Sequence, residues 1–346
     1  MARTTVYNSI VTEENLEKVN PKNKELLNEF IEFCESTDKS KLTIINYKSD
    51  IQICFIWSLL YNKNKFFVDF SKRDIMKYQN YLLHTLNLGS ARIRRLRSSI
   101  SSMANFIENM MDDLYEDYRN IVNKIPAPAK NVAREKTVLE DKQIENLLDY
   151  LVKNKQYQKA CVLALAWGSG RRKSELLRFK VSYFTEENIV FGALYKTPEK
   201  LKTKGHGSQG KLLTCYTLVN KFKKYFDLWM DYRKENLDVD KSLNDTLFVI
   251  KRKGQWESVK ISTLDSWASQ FSKQLNVDFY FHSLRHNFCT GLLEANIPAS
   301  VIKDIIGWES IDMVSIYDDT EIDDQLGKYF DENGIKQTDV KTLSDL

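Results

Sequence analysis

The chain has 346 residues, of which 42% are hydrophobic and 28% charged, with only 12 glycines and 5 prolines. This length predicts about two domains with cores of their own, and the composition excludes collagen-like and low-complexity classes and disfavours an all-β chain. The most apolar stretch, residues 51–60, is interrupted by Gln52 and Ser58, so no membrane span is expected. Residues 1–5 show no secretory signal, and we expect a cytoplasmic, nucleoid-associated protein.

The charge is unevenly distributed along the chain. Residues 318–346 contain nine acidic residues and three lysines, a net charge of −6, whereas the whole chain carries +4. The preceding 317 residues therefore carry +10. A basic body with an acidic tail is typical of a nucleic-acid-binding protein whose tail contacts protein instead of DNA.

The cysteines and histidines give no sign of a metal site. The five cysteines are an odd number, widely spaced and without a CxxC pair, which indicates small buried side chains in a reducing compartment. None of the four histidines has metal-ligand spacing to a cysteine, so no metal and no cofactor are expected.

The first part of the chain is predicted to be helical throughout. Apolar residues recur at helical spacing after Pro21, after Ser40, over residues 72–86 and after Gly89. The last of these helices carries Arg92, Arg94, Arg95 and Arg97 in its first two turns. Because cations are disfavoured at a helix N-terminus, the cluster indicates an external anion such as a DNA backbone. An arginine-rich face exposed to solvent is the alternative.

A proline-rich segment, Ile125-Pro126-Ala127-Pro128-Ala129, predicts a linker over residues 126–137. Beyond it the pattern predicts helices at 140–153, 156–167 and 219–236, strands at 188–195 and 211–218, and a hairpin at 248–259. Residues 262–317 are predicted to be helical, with breaks at 278–281 and Gly307. The predicted fold class is mainly α with a small antiparallel β-sheet (α+β).

Several short motifs in the second part carry chemistry. His282-Ser283-Leu284-Arg285-His286 places a histidine and an arginine on one helix face, a pairing suited to proton transfer and phosphate binding. Upstream lies the run 168–176 with Arg171 and Arg172, then the lysine- and glycine-rich loop 202–207. Downstream, Tyr317 follows Trp308 by nine residues.

In this order the motifs resemble the tyrosine recombinase (phage integrase) family. Its Gly-x-Arg-x-Ser-Glu-Leu run is matched by residues 170–176, its hairpin Lys-Gly by Lys204-Gly205, and its His-x-Leu-Arg-His by residues 282–286. Its Leu-Gly-His/Trp and nucleophilic tyrosine are matched by residues 306–308 and Tyr317, with Trp308 in place of the commoner histidine. The resemblance implies a helical core-binding (DNA-clamp) domain over residues 1–125, a catalytic domain over 138–317 and an acidic tail over 318–346.

The resemblance also implies roles for individual residues. Arg172 and Arg285 would hold the scissile phosphate, His282 would accept the proton of Tyr317, and Lys204 would protonate the leaving 5′-oxygen. Trp308 would donate its indole N–H to a phosphate oxygen. Arginine forks can stabilise the transferring phosphoryl group without a metal, and the 3′-phosphotyrosine that the family forms makes ATP unnecessary.

Alternatives stay open at several of these positions. A shift of one residue would make Arg171 the catalytic arginine instead of Arg172; otherwise Arg171 is expected to be solvent-exposed or to contact the DNA backbone. Lys202 or Lys211 is the alternative to Lys204 as general acid. The separate alternative for Trp308 and for His286 is that each only packs in the core. Glu175, one turn after Arg172, is predicted to orient an arginine, with a plain surface carboxylate as the alternative.

The predicted partners are double-stranded DNA recombination sites, further copies of the chain in a tetramer on DNA, and directionality or accessory factors. The predicted DNA contacts are Lys41, Thr43, Tyr47, Arg92, Arg94, Arg95, Arg97 and Lys202. The tail is expected to dock on a neighbouring protomer, with docking on its own domain as the alternative. The competing functions are an Xer-type dimer-resolving recombinase, a topoisomerase-like or telomere-resolving enzyme and a non-catalytic DNA-binding relative.

Overall fold

The computed structural model describes residues 6–129, 139–203, 205, 207, 209–315, 330–331 and 334–335. The chain divides into two units, one comprising Met1–Glu135 and Gly205–Gly210 and the other Lys136–Lys204 and Lys211–Leu346. The linker predicted at 126–137 stays a prediction, because residues 130–138 lie outside the described part of the chain. The same holds for the tail, of which only residues 330–331 and 334–335 are described.

The first unit is helical, as predicted. Its helices are α1 (Val6–Ile10), α2 (Glu13–Lys18), α3 (Pro21–Ser36), α4 (Lys41–Tyr61), α5 (Lys72–Asn80) and α6 (Ser90–Met110). Short 3₁₀ turns lie at Phe67–Asp69 and Val122–Lys124. The helix predicted over residues 72–86 leaves α-helical geometry after Asn80 and ends in a π-helical turn, Tyr81–Thr85.

Local sequence signals begin these helices. Asn20 caps α3, whose first residue is Pro21, and Ser40 accepts a hydrogen bond from the backbone of Thr43 at the start of α4. A capping box between Ser71 and Asp74 begins α5. Buried apolar side chains of α3, α4, α5 and α6 form a single core, which confirms the faces predicted from the helical spacing.

The second unit combines helices with short antiparallel strands. Its helices are α7 (Asp141–Lys153), α8 (Tyr157–Ser169), α9 (Lys173–Leu176), α10 (Val219–Asn236), α11 (Ile261–Leu275), α12 (Phe281–Glu294), α13 (Ala299–Ile306) and α14 (Asp312–Ser315). Its strands are β1 (Ile189–Val190), β2 (Leu194–Lys196), β3 (Leu201–Thr203), β4 (Lys211–Leu213), β5 (Tyr216–Leu218), β6 (Val249–Arg252) and β7 (Gln255–Ser258). A further pair, β8 (Phe330–Asp331) and β9 (Gly334–Ile335), lies near the end of the chain. The mainly α fold with small antiparallel sheets is therefore confirmed.

The predicted strands are correct in type but wrong in extent. Residues 188–195 are two strands, because the chain reverses at Phe191 and Gly192, both with positive φ, and β1 then pairs with β2. Residues 211–218 are likewise two strands that join different sheets, β4 with β3 and β5 with β2. The hairpin at 248–259 is confirmed as β6 and β7, with Lys253 and Gly254 at its turn.

The centre of the second unit is α8. Every residue of α8 from Ala160 to Ser169 is buried, and the helix packs against α7, α10 and α12. A helix that is apolar on all sides is typical of a core position. The helix ends at Ser169, directly before the segment Gly170-Arg171-Arg172. The packing of α8 in the core therefore fixes the position of that segment.

The cysteines behave as predicted, and all five are reduced and buried. Within the described ranges, no helix has the length and apolar content needed to span a membrane. The same ranges contain no group of three or more His, Cys, Asp or Glu side chains placed to hold a metal ion.

Replacing Gly170 by alanine is expected to destabilise the second unit. Gly170 ends α8 at φ +59°, and an added Cβ would lie 2.5 Å from Cδ1 of Phe288. Gly192 provides the matched control, because it has φ +66° and no atom within 4 Å of an added Cβ. We expect Gly192→Ala to cost about 1–2 kcal/mol from backbone strain alone and Gly170→Ala clearly more. Equal shifts of the unfolding midpoint in urea would contradict the predicted clash.

Candidate active site

Three of the predicted motifs, residues 170–176, 282–286 and 306–308, meet around the turn that follows α8. Gly170 takes the left-handed conformation there, and its carbonyl oxygen accepts a hydrogen bond from Nη1 of Arg285 at 3.1 Å. Arg171 and Arg172 follow directly and lead into α9. Three consecutive residues therefore bring α8, α9 and α12 together.

Arg172 is held by Glu175. One carboxylate oxygen of Glu175 accepts from the backbone N–H of Arg172 at 3.1 Å, and the other lies 3.0 Å from Nη1 of its guanidinium. Glu175 is 1% exposed, whereas 32% of the Arg172 side chain is accessible. The geometry is that of a buried carboxylate orienting an accessible arginine, and it disagrees with a plain surface carboxylate.

Arg285 lies on α12 and is fully buried, with 0% exposure. Its Nη1 binds the Gly170 carbonyl, but its Nε and Nη2 have no hydrogen-bond partner among the described residues. Burial, together with the positive charges of Arg172 and Arg171, lowers the pKa of Arg285 to about 10, so it stays charged at neutral pH. Burying a guanidinium whose N–H groups lack acceptors costs free energy, unless an anion binds it.

His282 and His286 lie on successive turns of α12. His282 has an exposed side chain, but desolvation of its ring by the surrounding protein, followed by repulsion from Arg285 and Arg172, lowers its pKa below the usual 6.5. The imidazole is therefore neutral at neutral pH and can accept a proton. His286 is buried, and its ring meets that of His282 edge to face at 5.8 Å between centroids.

Trp308 follows the end of α13. Gly307 ends that helix at φ +81°, and the N–H groups of Gly307 and Trp308 both bind the carbonyl of Lys303. The Trp308 indole is 5% exposed and lies beside Arg285, whose guanidinium carbon is 5.3 Å from the ring centroid. Trp308 is thus both packed in the core and part of the arginine site.

Arg171 takes neither of the places predicted for it. It is 1% exposed, and unlike the equally buried Arg285 both of its terminal nitrogens donate to backbone carbonyls, so it fits neither a catalytic arginine nor a DNA-backbone contact. Its Nη1 donates to the carbonyl of Ile306 at 3.4 Å and its Nη2 to that of Ile305. The register with Arg172 as the accessible arginine therefore agrees with the geometry.

The nucleophile and general-acid candidates are only partly described. Tyr317 and Lys204 lie outside the described residues. Lys202 has an exposed side chain on β3, and Lys211 on β4 donates from Nζ to the carbonyl of Gly307 at 3.3 Å. The sequence identified Lys211 only as a competitor for the general acid, and its contact with the Trp308 turn was missed because no local pattern records it.

The predicted DNA contacts of the first unit differ in how accessible they are. Arg92 and Arg95 contact the buried carboxylate of Asp50 at 2.8 and 3.3 Å, with 31% and 50% of their side chains exposed. The anion that their position on α6 requires is therefore supplied, at least in part, by α4. Arg94 is half-buried and donates from Nε to the carbonyl of Pro128 at 2.8 Å.

Arg97 does not fit the DNA-contact prediction. It is 6% exposed, and its guanidinium donates to the carbonyls of Val122 at 2.7 Å and Pro126 at 2.8 Å. We assign it instead to the packing of α6 against the end of the unit.

The remaining candidates lie on α4. Lys41 is exposed, Thr43 is partly buried with its hydroxyl 2.8 Å from that of Ser40, and the Tyr47 ring packs against Phe30.

The fold and the arginine site together define the tyrosine recombinase class. Residues 137–322 match the family model described as "Phage integrase family". The chain belongs to this family, and the prediction that it is a DNA strand-transfer enzyme is confirmed.

Similar proteins come from mobile elements and from Xer recombinases. The chain is 27% identical over 271 residues to the SPbeta prophage-derived recombinase-like protein YomM of Bacillus subtilis, covering 78% of this chain and 76% of that protein. It is 25% identical over 300 residues to tyrosine recombinase XerA of Pyrococcus horikoshii, covering 85% and 89%.

Two solved structures share the fold. XerH site-specific recombinase bound to difH substrate matches 89% of this chain and 96% of its own, with 16% identity and a TM-score of 0.62. The Tn1549 transposon integrase in complex with circular intermediate DNA matches 88% and 98%, also with 16% identity and a TM-score of 0.62.

Glu175→Gln is expected to slow DNA cleavage without preventing folding. The amide keeps the size of the carboxylate but loses the charge that orients Arg172, and misplacing a phosphate ligand by about 1 Å can cost about a hundredfold in rate. Single-turnover cleavage measures the effect. Asp265→Asn is the control, because Asp265 pairs with the neighbouring Lys173 at the surface. Equal rates for Glu175→Gln and the wild type would contradict the orienting role.

The cleavage rate is expected to depend on pH through His282. Its pKa lies below the usual 6.5, so the neutral base is present at neutral pH and is lost only as the pH falls through the lowered value. In a profile of single-turnover rates against pH, the rate should fall to half of its plateau at a pH below 6.5. The acid limb should disappear in His282→Asn, whose residual rate is low at all pH values. A decline that begins well above pH 6.5 would contradict the assignment.

Proposed function

We propose that the chain is a site-specific recombinase that cleaves and rejoins DNA through a covalent 3′-phosphotyrosyl intermediate. The observation that carries this proposal is the buried Arg285, whose Nε and Nη2 lack partners among the described residues while Arg172 stays accessible beside it. Two guanidinium groups can bind the non-bridging oxygens of a phosphodiester and stabilise the charge that develops there.

The proposed chemical steps combine these arginines with the roles that the family resemblance implies for Tyr317, His282 and Lys204. The hydroxyl of Tyr317 attacks the phosphorus, and its proton passes to neutral His282. The bond from phosphorus to the 5′-oxygen breaks, and that oxygen takes a proton from Lys204. Because the phosphotyrosyl ester conserves the bond energy, a 5′-hydroxyl can attack it and restore a phosphodiester without ATP. Within this proposal Trp308 closes the site beside Arg285.

The biological outcome has two candidates. Integration or excision of a mobile element is our first proposal, and similarity to a prophage-derived recombinase-like protein supports it. Resolution of chromosome dimers is the second, supported by similarity to XerA over 85% of this chain. Paired DNA sites from each context, assayed for exchange by the purified protein, distinguish them.

Assembly completes the proposal. We include a homotetramer on DNA, with the acidic tail of one protomer bound to its neighbour, since a segment of charge −6 is repelled by DNA.

Tyr317→Phe is expected to bind DNA and to form no covalent adduct. Phenylalanine lacks the attacking oxygen but keeps the ring. The measurement uses a nicked suicide substrate, from which the cleaved fragment is lost so that the adduct accumulates, in buffer with EDTA and without nucleotide. Tyr329→Phe is the control and should form adduct like the wild type. Adduct with Tyr317→Phe, or none with the wild type, would contradict the proposed chemistry.

Arg95→Gln is expected to weaken DNA binding at all sequences and to flatten its salt dependence by about one unit of log–log slope. Half of the Arg95 side chain is exposed on α6, so it can reach a phosphate. The matched control is Arg97→Gln on the same helix, which should lower stability and leave the salt slope of the folded protein unchanged. DNA titrations of both variants at several salt concentrations give the slope of log affinity against log salt concentration for each. An unchanged slope for Arg95→Gln would assign this arginine to the solvent-exposed face.

A further inference from the structure

The feature with no role so far is the buried Arg171. Its guanidinium, 1% exposed, is bound by the carbonyls of Ile305 and Ile306. These are the last two residues of α13. The last carbonyls of a helix lack partners within the helix and carry the negative end of its dipole, so a cation there is favourable.

The two carbonyls directly precede the turn that carries Trp308. That turn is also held from inside α13, because the N–H groups of Gly307 and Trp308 bind Lys303. Lys211 adds a contact to the Gly307 carbonyl. The hydrogen bonds of Arg171 to Ile305 and Ile306 connect this turn to the segment that carries Arg172.

We propose that Arg171 is a positioning residue that fixes the end of α13, and with it Trp308, against Arg285. The inference depends on the proposed recombinase function. The Gly170 carbonyl binds Arg285, and the Arg171 guanidinium binds the end of α13. The next residue, Arg172, is accessible at the site. Three consecutive residues therefore set the relative positions of Arg285, the end of α13 and the Arg172 side chain. In the sequence, Tyr317 follows Trp308 by nine residues.

Arg171 does not act by touching the phosphate. Arg285 is equally buried, but it keeps a terminal nitrogen without a partner among the described residues, whereas carbonyls bind both terminal nitrogens of Arg171 and leave only its Nε without one. Its positive charge does act on Arg285, whose pKa it helps to lower. The experiment must therefore separate positioning from a loss of charge.

The chain offers a close control in Arg233. This arginine is 5% exposed in the same unit, and it too donates to backbone carbonyls, those of Thr246 at 2.6 Å and Leu243 at 2.8 Å. Among the described residues, no hydrogen bond joins it to the Gly170–Arg172 turn or to α13. Arg233→Met should therefore reproduce the cost of removing a buried arginine without disturbing the site.

The test compares Arg171→Met, Arg171→Lys and Arg233→Met with the wild type in single-turnover cleavage of the suicide substrate and in binding to a half-site. We expect Arg171→Met to bind within about twofold of the wild type and to cleave about a hundredfold more slowly, the usual cost of a displaced site. Arg171→Lys, which keeps one donor group, should be intermediate and supplies the measurement if Arg171→Met fails to fold. Arg233→Met should cleave at the wild-type rate.

Two further readouts identify the mechanism. With 5-fluorotryptophan in the protein, the ¹⁹F resonance that Trp308→Phe removes should shift in Arg171→Met and stay in place in Arg233→Met. On a methylphosphonate substrate, which has no charge at the scissile position, Arg171→Met should remain as slow relative to the wild type as on normal DNA.

The proposal is overturned if Arg171→Met cleaves like the wild type, if binding and cleavage fall together, if the Trp308 resonance does not move, or if the methylphosphonate removes the defect. Absence of adduct with the wild-type protein would instead contradict the proposed function.

Discussion

The structure of the second unit depends on the burial of positive charge. Arg171 and Arg285 are almost fully inaccessible, and Glu175 is the buried acid that contacts the third arginine, Arg172. Backbone carbonyls accept from both terminal nitrogens of Arg171 but from only one of Arg285, and the Nε of each has no partner among the described residues. Desolvating a guanidinium is costly, and this cost is tolerable only where strong acceptors are present or arrive. Both terminal nitrogens of Arg171 are therefore used within the fold, whereas Arg285 has donors that the proposed phosphate ligand would satisfy.

The first unit handles its arginines in a related way. Asp50 on α4 is buried and accepts from Arg92, while its second oxygen is close to Arg95 and to the hydroxyl of Ser99 at 2.9 Å. One carboxylate thus holds two cationic side chains at the start of α6, where the helix dipole alone would repel them. Side chains fixed in this way lose less conformational entropy when they bind a partner than free ones do.

Sequence patterns predicted the element types and the family, but not every contact. Helix faces followed from the 3.6-residue spacing, and the site motifs followed from their order along the chain. The strand over residues 188–195 was mispredicted because Phe191, an aromatic residue typical of strands, adopts a positive φ at the turn. Arg97 and Arg171 were misassigned because burial is a tertiary property, and an arginine that binds distant carbonyls has the same local sequence context as one that faces solvent. The Asp50 contacts escaped prediction for the same reason, since α4 and α6 are far apart in sequence.

The five buried cysteines give the protein a property unrelated to DNA. Burial raises the pKa of each thiol, to about 12 for Cys289, so very little thiolate exists at neutral pH. Thiolate is the form that reacts with alkylating agents and oxidants. The five thiols of the native protein should consequently react very slowly with such reagents. A single cysteine placed on its surface would carry a probe specifically, and the appearance of native thiol reactivity would report local opening of either core.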